Sequence, residues 1–194
     1  MSVAPTLTTR VSAVNAMLAS IGERPVNDID NPSRLDVQRA VRALNQITVL
    51  AQTRGWWFNR EEKVPLSPNA AGEYDVPKTV LKVDAYYKYI WQFVRRGNRL
   101  YNAETRLYTG NTEDLYVNWV VLLPFDDCPE TFRAYVGRRA GMLFQAGAVG
   151  SPTLFEFTQV DVDEAWGFLQ DEEMEQDDSN LTFSPELIDV VYRR

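Results

Sequence analysis

The sequence predicts an α+β fold, and three observations lead there. Apolar residues recur at helical spacing up to Gly55. From about Trp57 to Leu123 that spacing gives way to short β-rich runs broken by proline and glycine. Helical spacing then resumes at "FDDCPETF", Phe125 to Phe132. Each helix pair has one apolar face to bury, so the predicted architecture is a four-helix bundle formed by the N- and C-terminal pairs, with a small antiparallel β-sheet domain inserted between them. Residues 1–55 and 126–178 are assigned to the bundle, 56–125 to the insertion and 179–194 to an extended C-terminal tail.

Leu7, Val11, Val14, Leu18 and Ile21 mark one face of the first helix. Thr8 or Thr9 can cap its start, Gly22 can end it, and Pro25 blocks continuation. "DNPSR" opens the second helix with Asn31 or Ser33 as cap; Val37, Ala40, Val41, Leu44, Ile47 and Ala51 form its stripe, and Gly55 stops it. Within the insertion, "TVLKVDAYYKYIW", "RLYNAETRLY" and "LYVNWVVLL" read as strands. Gly97-Asn98 between β-formers signals a two-residue hairpin turn. The third helix is capped at Asp127 or Cys128, with Pro129 in its first turn and Phe132, Val136, Ala140 and Leu143 inward. The fourth spans about Thr153 to Glu175, with Leu154, Val162, Ala165, Trp166 and Leu169 inward. "NLTFSPELIDVVYRR", Asn180 to Arg194, carries apolar residues without a helical stripe. It is expected to dock in extended form on its own bundle, on a neighbouring subunit or on a partner protein.

"RGWWFNREE", Arg54 to Glu62, lies where the bundle hands over to the sheet. Neighbouring strand residues point to opposite faces, so Trp56 and Trp57 are read as plugging two cores at one corner; a stacking platform for sugars or bases is the other reading.

With 194 residues, 45% apolar and 24% charged, the chain can bury one ordinary core. A net charge of −7 argues against a general nucleic-acid binder. The absence of histidine removes Ser-His-Asp triads and most zinc and haem sites. A single cysteine, Cys128, fits a reducing compartment. No signal peptide or membrane-spanning run is read, so a soluble protein made in the cytosol is expected.

No phosphate-binding glycine loop occurs and no cofactor or metal is expected; Asp161, Asp163 and Glu164 read as a solvated helix face. A glycosidase needs two carboxylates about 5 to 9 Å apart. Glu61, Glu62 and Glu73, near aromatic residues, are the candidates for such a pair. Charge is segregated: twelve acids and no Lys or Arg occur from Ala140 to Tyr192, whereas Lys88, Arg95, Arg96, Arg99 and Arg106 face only Glu104 between Ala85 and Gly110. Complementary charge of this kind suits contacts between copies or subunits. Arg95, Arg96 and Arg99, with Phe183, Leu187, Ile188 and Tyr192 of the tail, are therefore the candidate partner-binding residues.

Three blocks, "SAVNAMLASIGERPV" (12–26), "RGWWFNREE" (54–62) and "CPETFRAYVGRRAGMLF" (128–144), together with the acidic "DEAW…DEE" (163–173), resemble in sequence and order the tail tubular protein A family of T7-like podoviruses. The sheet, Pro65 to Leu123, carries little of the resemblance. The resemblance implies a virion tail protein: a head-to-tail adaptor, or gatekeeper, forming a dodecameric ring between the portal protein and the nozzle (tail tubular protein B), near the attachment of the tail fibres. DNA would pass through its channel without specific binding, and no catalytic constellation is implied. A tail-associated glycan hydrolase is the alternative function.

Overall fold

The computed structural model describes residues 6–86, 92–148 and 152–182, and within the last helix the side chains of residues 159–176. The fold is α+β, with two compact units: residues 1–51 with 124–194, and residues 52–123.

The first unit is helical. α1 (Arg10–Ser20) starts at Thr9, whose hydroxyl accepts from the Ser12 N–H while the Ser12 hydroxyl accepts from the Thr9 N–H. Leu7 lies before this cap and is exposed, not part of the stripe. The reason is upstream of the helix: the Thr8 N–H and hydroxyl are held by the Glu130 carboxylate, and the Arg10 N–H donates to Asp126 at 2.7 Å. α1 ends as expected at Gly22, with φ of 77°. Gly22 N–H donates to Ala19 O and Glu23 N–H to Leu18 O, the paired bonds of a glycine-terminated helix.

α2 (Leu35–Gln52) begins later than "DNPSR" suggested. The Arg34 guanidinium pairs with Asp36 in the first turn and with Glu23, which holds 31–34 out of the helix. The hydrogen bond from Arg34 keeps the Asp36 carboxyl below its usual range. A short 3-10 turn, Phe125–Asp127, precedes α3 (Glu130–Ala148), so Pro129 rather than Asp127 or Cys128 sits at the helix start. Phe132, Val136 and Ala140 are buried as predicted, but Leu143 is 41% exposed and Phe144 is buried instead. Leu143 lines an open groove beside Arg39, Arg42 and Gln46 of α2. α4 runs Pro152–Thr182, seven residues past Glu175, so the start assigned to the extended tail is helical through Thr182. Val162, Ala165 and Leu169 are buried. Trp166 is half-buried and tilts against Tyr135 of α3, ring centres 5.0 Å apart. Gly137 and Gly141 of α3 face Ala13 and Met17 of α1, where a Cβ would make ordinary contact at 3.9 and 4.0 Å.

The second unit contains two antiparallel sheets rather than one. In the first, β5 (Leu115–Val121) lies between β1 (Arg60–Leu66) and β2 (Val80–Ala85). β1 is an edge strand, which tolerates Pro65, and it bulges between Glu61 and Val64, where Lys63 has a φ of 55°. β3 (Phe93–Arg96) and β4 (Arg99–Asn102) form the second sheet, a hairpin closed by Gly97-Asn98. Tyr74, Val76, Val80, Leu100, Leu115 and Val117 make the shared core.

The neck of this unit is polar. Gln52, fully buried, donates through Nε2 to Leu123 O at 2.9 Å and accepts at Oε1 from the Leu123 N–H at 2.8 Å. Asn59, also buried, donates to Gln52 O and Val121 O and accepts from the Trp56 N–H at 2.8 Å. Five polar groups of the incoming and outgoing backbone are thereby satisfied by two buried side chains. Gly55 is required beside them: its φ is 83°, and a Cβ would meet Val120 Cγ2 at 2.8 Å. Trp56 is 1% exposed, but Trp57 is only half-buried and meets it edge-on, so Trp57 is not the full core plug expected.

Candidate functional site

In the β3–β4 hairpin, Val94 pairs with Tyr101 and Arg96 with Arg99. Side chains alternate along a strand. Phe93, Arg95, Leu100 and Asn102 therefore turn toward the core, and Val94, Arg96, Arg99 and Tyr101 turn outward, as their burial confirms. The three candidate arginines are thus divided. Arg95 is an internal brace: its Nε donates to Gly97 O at 2.9 Å and its Nη1 to Val80 O of β2. Arg99 pairs with Glu73 at 2.7 Å. Arg96 stacks on Tyr101, guanidinium carbon 3.6 Å from the ring centre, and meets no carboxylate among the described residues.

Tyr108 completes the face. Its ring meets Tyr101 edge-on at 5.2 Å, and the Arg99 guanidinium lies 4.6 Å from its centre. Arginine and tyrosine side chains held in fixed geometry around an exposed apolar residue, here Val94, have the composition of interface anchors. The tyrosines were not singled out in the sequence. Tyr101 was within reach, because a two-residue turn at Gly97-Asn98 fixes the register that places it opposite Val94. Tyr108 was not, because it arrives from a loop.

The carboxylate candidates each have a local role. Glu61 accepts from the Trp119 indole N–H at 2.7 Å. Glu62 lies 4.0 Å from Arg60, and Glu73 holds Arg99. Glu61 and Glu62 are adjacent on β1, and Glu73 lies in the loop before β2. No observation assembles two of them across a cleft. No cluster of three or more His, Cys, Asp or Glu able to hold a metal occurs among the described residues. Asp163 accepts from Gln159 on an exposed helix face. The Cys128 thiol is buried, donates to Pro124 O, and is pushed up to about 12 by that burial, which keeps it protonated and unreactive.

In the helical unit, α3 and α4 border a groove of about 630 Å³. Its acidic lining is Glu130, Asp171, Glu172 and Glu175, with Arg138 the one basic member; Phe168, 58% exposed, stands at its side. Glu130 is occupied by Thr8 and Arg133, and Glu172 accepts from the Thr131 hydroxyl. Asp171 and Glu175 have no partner among the described residues. The tail candidates Phe183, Leu187, Ile188 and Tyr192 lie outside the described residues. No described helix is long and apolar enough to cross a membrane.

Comparison with known proteins gives one family: a model described as tail tubular protein matches residues 11–179. No individually curated protein matches the chain significantly.

Proposed function

The chain belongs to the tail tubular protein family, and from that membership we propose that it is the head-to-tail adaptor of a podovirus virion, of the tail tubular protein A type. Its place in the phage tail follows from the family itself. In the proposed role, copies form a dodecameric ring between the portal protein and the nozzle, tail tubular protein B, next to the tail fibres. The genome leaves through the channel of that ring. The four helices form its bundle core, and residues 56–125 an inserted domain.

The observation that carries the reading is the extent of the family match, which takes in both helical segments and the whole insertion. Two further features support it. Basic and acidic side chains are segregated along the chain, as contacts between subunits require. A net charge of −7 suits a channel that DNA must pass without sticking. Nothing in the arrangement of Glu61, Glu62 and Glu73 favours the glycan-hydrolase alternative.

Particles made without this protein test the role. The expected product is a DNA-filled or leaking head that carries its portal but no nozzle, restored by the protein supplied in trans. Particles that lack it and still carry complete tails would overturn the adaptor assignment.

A further inference from the structure

We propose that the outer face of the β3–β4 hairpin docks into the α3–α4 groove of a second copy of this chain. The inference deepens the adaptor reading and rests on it for the ring that such contacts would build.

The two surfaces complement each other in charge, and each carries an exposed apolar residue. On the hairpin, Arg96 is fixed on Tyr101 and lacks a carboxylate partner among the described residues. On the groove, Asp171 and Glu175 lack a basic partner among the described residues, while Glu130 and Glu172 are occupied. Groove and hairpin each carry an apolar element beside the charge: Phe168, 58% exposed, on one, and Val94, 48% exposed, with the Tyr101 ring on the other. The stack on Tyr101 holds the Arg96 guanidinium in place before contact, so little side-chain freedom is lost on docking. An acidic partner is required, and this chain supplies one: no Lys or Arg occurs between residues 140 and 192. Nucleic acid fits less well, because Arg99 is neutralised by Glu73 and Arg95 is turned inward. Hairpin and groove are different surfaces, so the contact is head-to-tail and each copy leaves one of each free for the next. Repetition closes into a ring where the rotation allows.

Two measurements test this. Virions are assembled with R96E, with D171R/E175R, and with all three substitutions in one chain; each purified variant is first shown to melt like the parent. Each charge reversal alone is expected to lower infectious yield about tenfold or more, and the combination to recover most of it. Normal yield from both reversals, or no recovery in the combination, overturns the contact. In the second measurement, tails carrying V94C/F168C are treated with a short bis-maleimide; Cys128 is buried and does not compete. A ladder of covalent dimers, trimers and higher multimers is expected. Only monomers, or a covalent adduct to another tail protein, in particles whose image shows the ring would sink the proposal and leave the adaptor reading standing. Absence of the ring from the tail would instead remove the reading beneath it.

Discussion

Asn15 and Gln52 perform the same task at different depths. Each uses its side-chain amide to grip both polar groups of one backbone residue: Asn15 holds Val26 at 2.9 and 2.8 Å, and Gln52 holds Leu123 at 2.9 and 2.8 Å. Asn15 belongs to the helical unit, is half-buried, and locks a link of 11 residues. Gln52 belongs to the β unit, is fully buried, and joins positions 71 residues apart. The hydrogen bonds are alike, so burial alone separates their worth. Val26 and Leu123 are themselves both half-buried, so what differs is the depth of the amide that grips them: a partner lost at Asn15 is open to replacement by water, and one lost at Gln52 is replaced less readily.

The largest expected effect is therefore at the neck. Gln52→Leu takes away both side-chain partners of the half-buried Leu123 backbone, on the side where Gln52 is fully buried, and a group left unpaired in such a place costs about 1 to 3 kcal/mol. The variant should lose about 2 to 3 kcal/mol in chemical denaturation. A loss under about 1 kcal/mol would show that water enters the neck and would erase the distinction between the two grips. Gln52→Glu sharpens the test with a sign. Only a protonated carboxyl can donate to Leu123 O, so the folded state raises its pKa above the ordinary value of about 4.3. Stability of Q52E should be best preserved below about pH 4 and lost as pH rises through the folded pKa. The opposite slope would mean that Leu123 O does not need the donor.

The second effect is at Gly55, beside the same neck. Gly55→Ala forces a side chain into a left-handed backbone, a strain of about 1 to 3 kcal/mol. It also drives a methyl against the stiff Val120 side chain. A melting temperature equal to the parent's would show that the strand around Val120 yields freely.

These positions also mark what could be read in advance. Val14, Leu18, Val37, Leu44, Phe132, Val136, Val162 and Leu169 announce themselves because helix burial repeats along the chain, and all eight are buried. The hairpin turn announces itself because its first position needs a left-handed backbone, which Gly97 supplies with a φ of 64°. Gln52 gives no such signal: a polar residue at a helix end reads as solvated until Leu123, just past the end of β5, returns to it. The same holds for the outward row on the hairpin. Arg95, Arg96 and Arg99 stood out by charge, but which of them faces out depends on register, and Tyr108 reaches Arg99 from a separate loop. The start of α1 was legible, because the cap at Thr9 is local, whereas that of α2 was placed too early, because Arg34 pairs with Glu23 and Asp36 just ahead of the helix.

Asn15→Ala should have the smallest effect of the set. It removes two hydrogen bonds to Val26, but both groups of Val26 remain within reach of water, so the net loss should be about 1 kcal/mol. The helix itself should gain slightly, because alanine favours helix over asparagine. α1 keeps its cap at Thr9 and its glycine-terminated end at Gly22, neither of which involves Asn15. The change should therefore appear less in the melting temperature than in amide hydrogen exchange. Exchange of the Val26 N–H should quicken while that of Val14 and Leu18 stays protected. If exchange quickens along all of α1, the grip on Val26 anchors the helix and not only its exit. The two amides would then be equal in consequence despite their difference in burial.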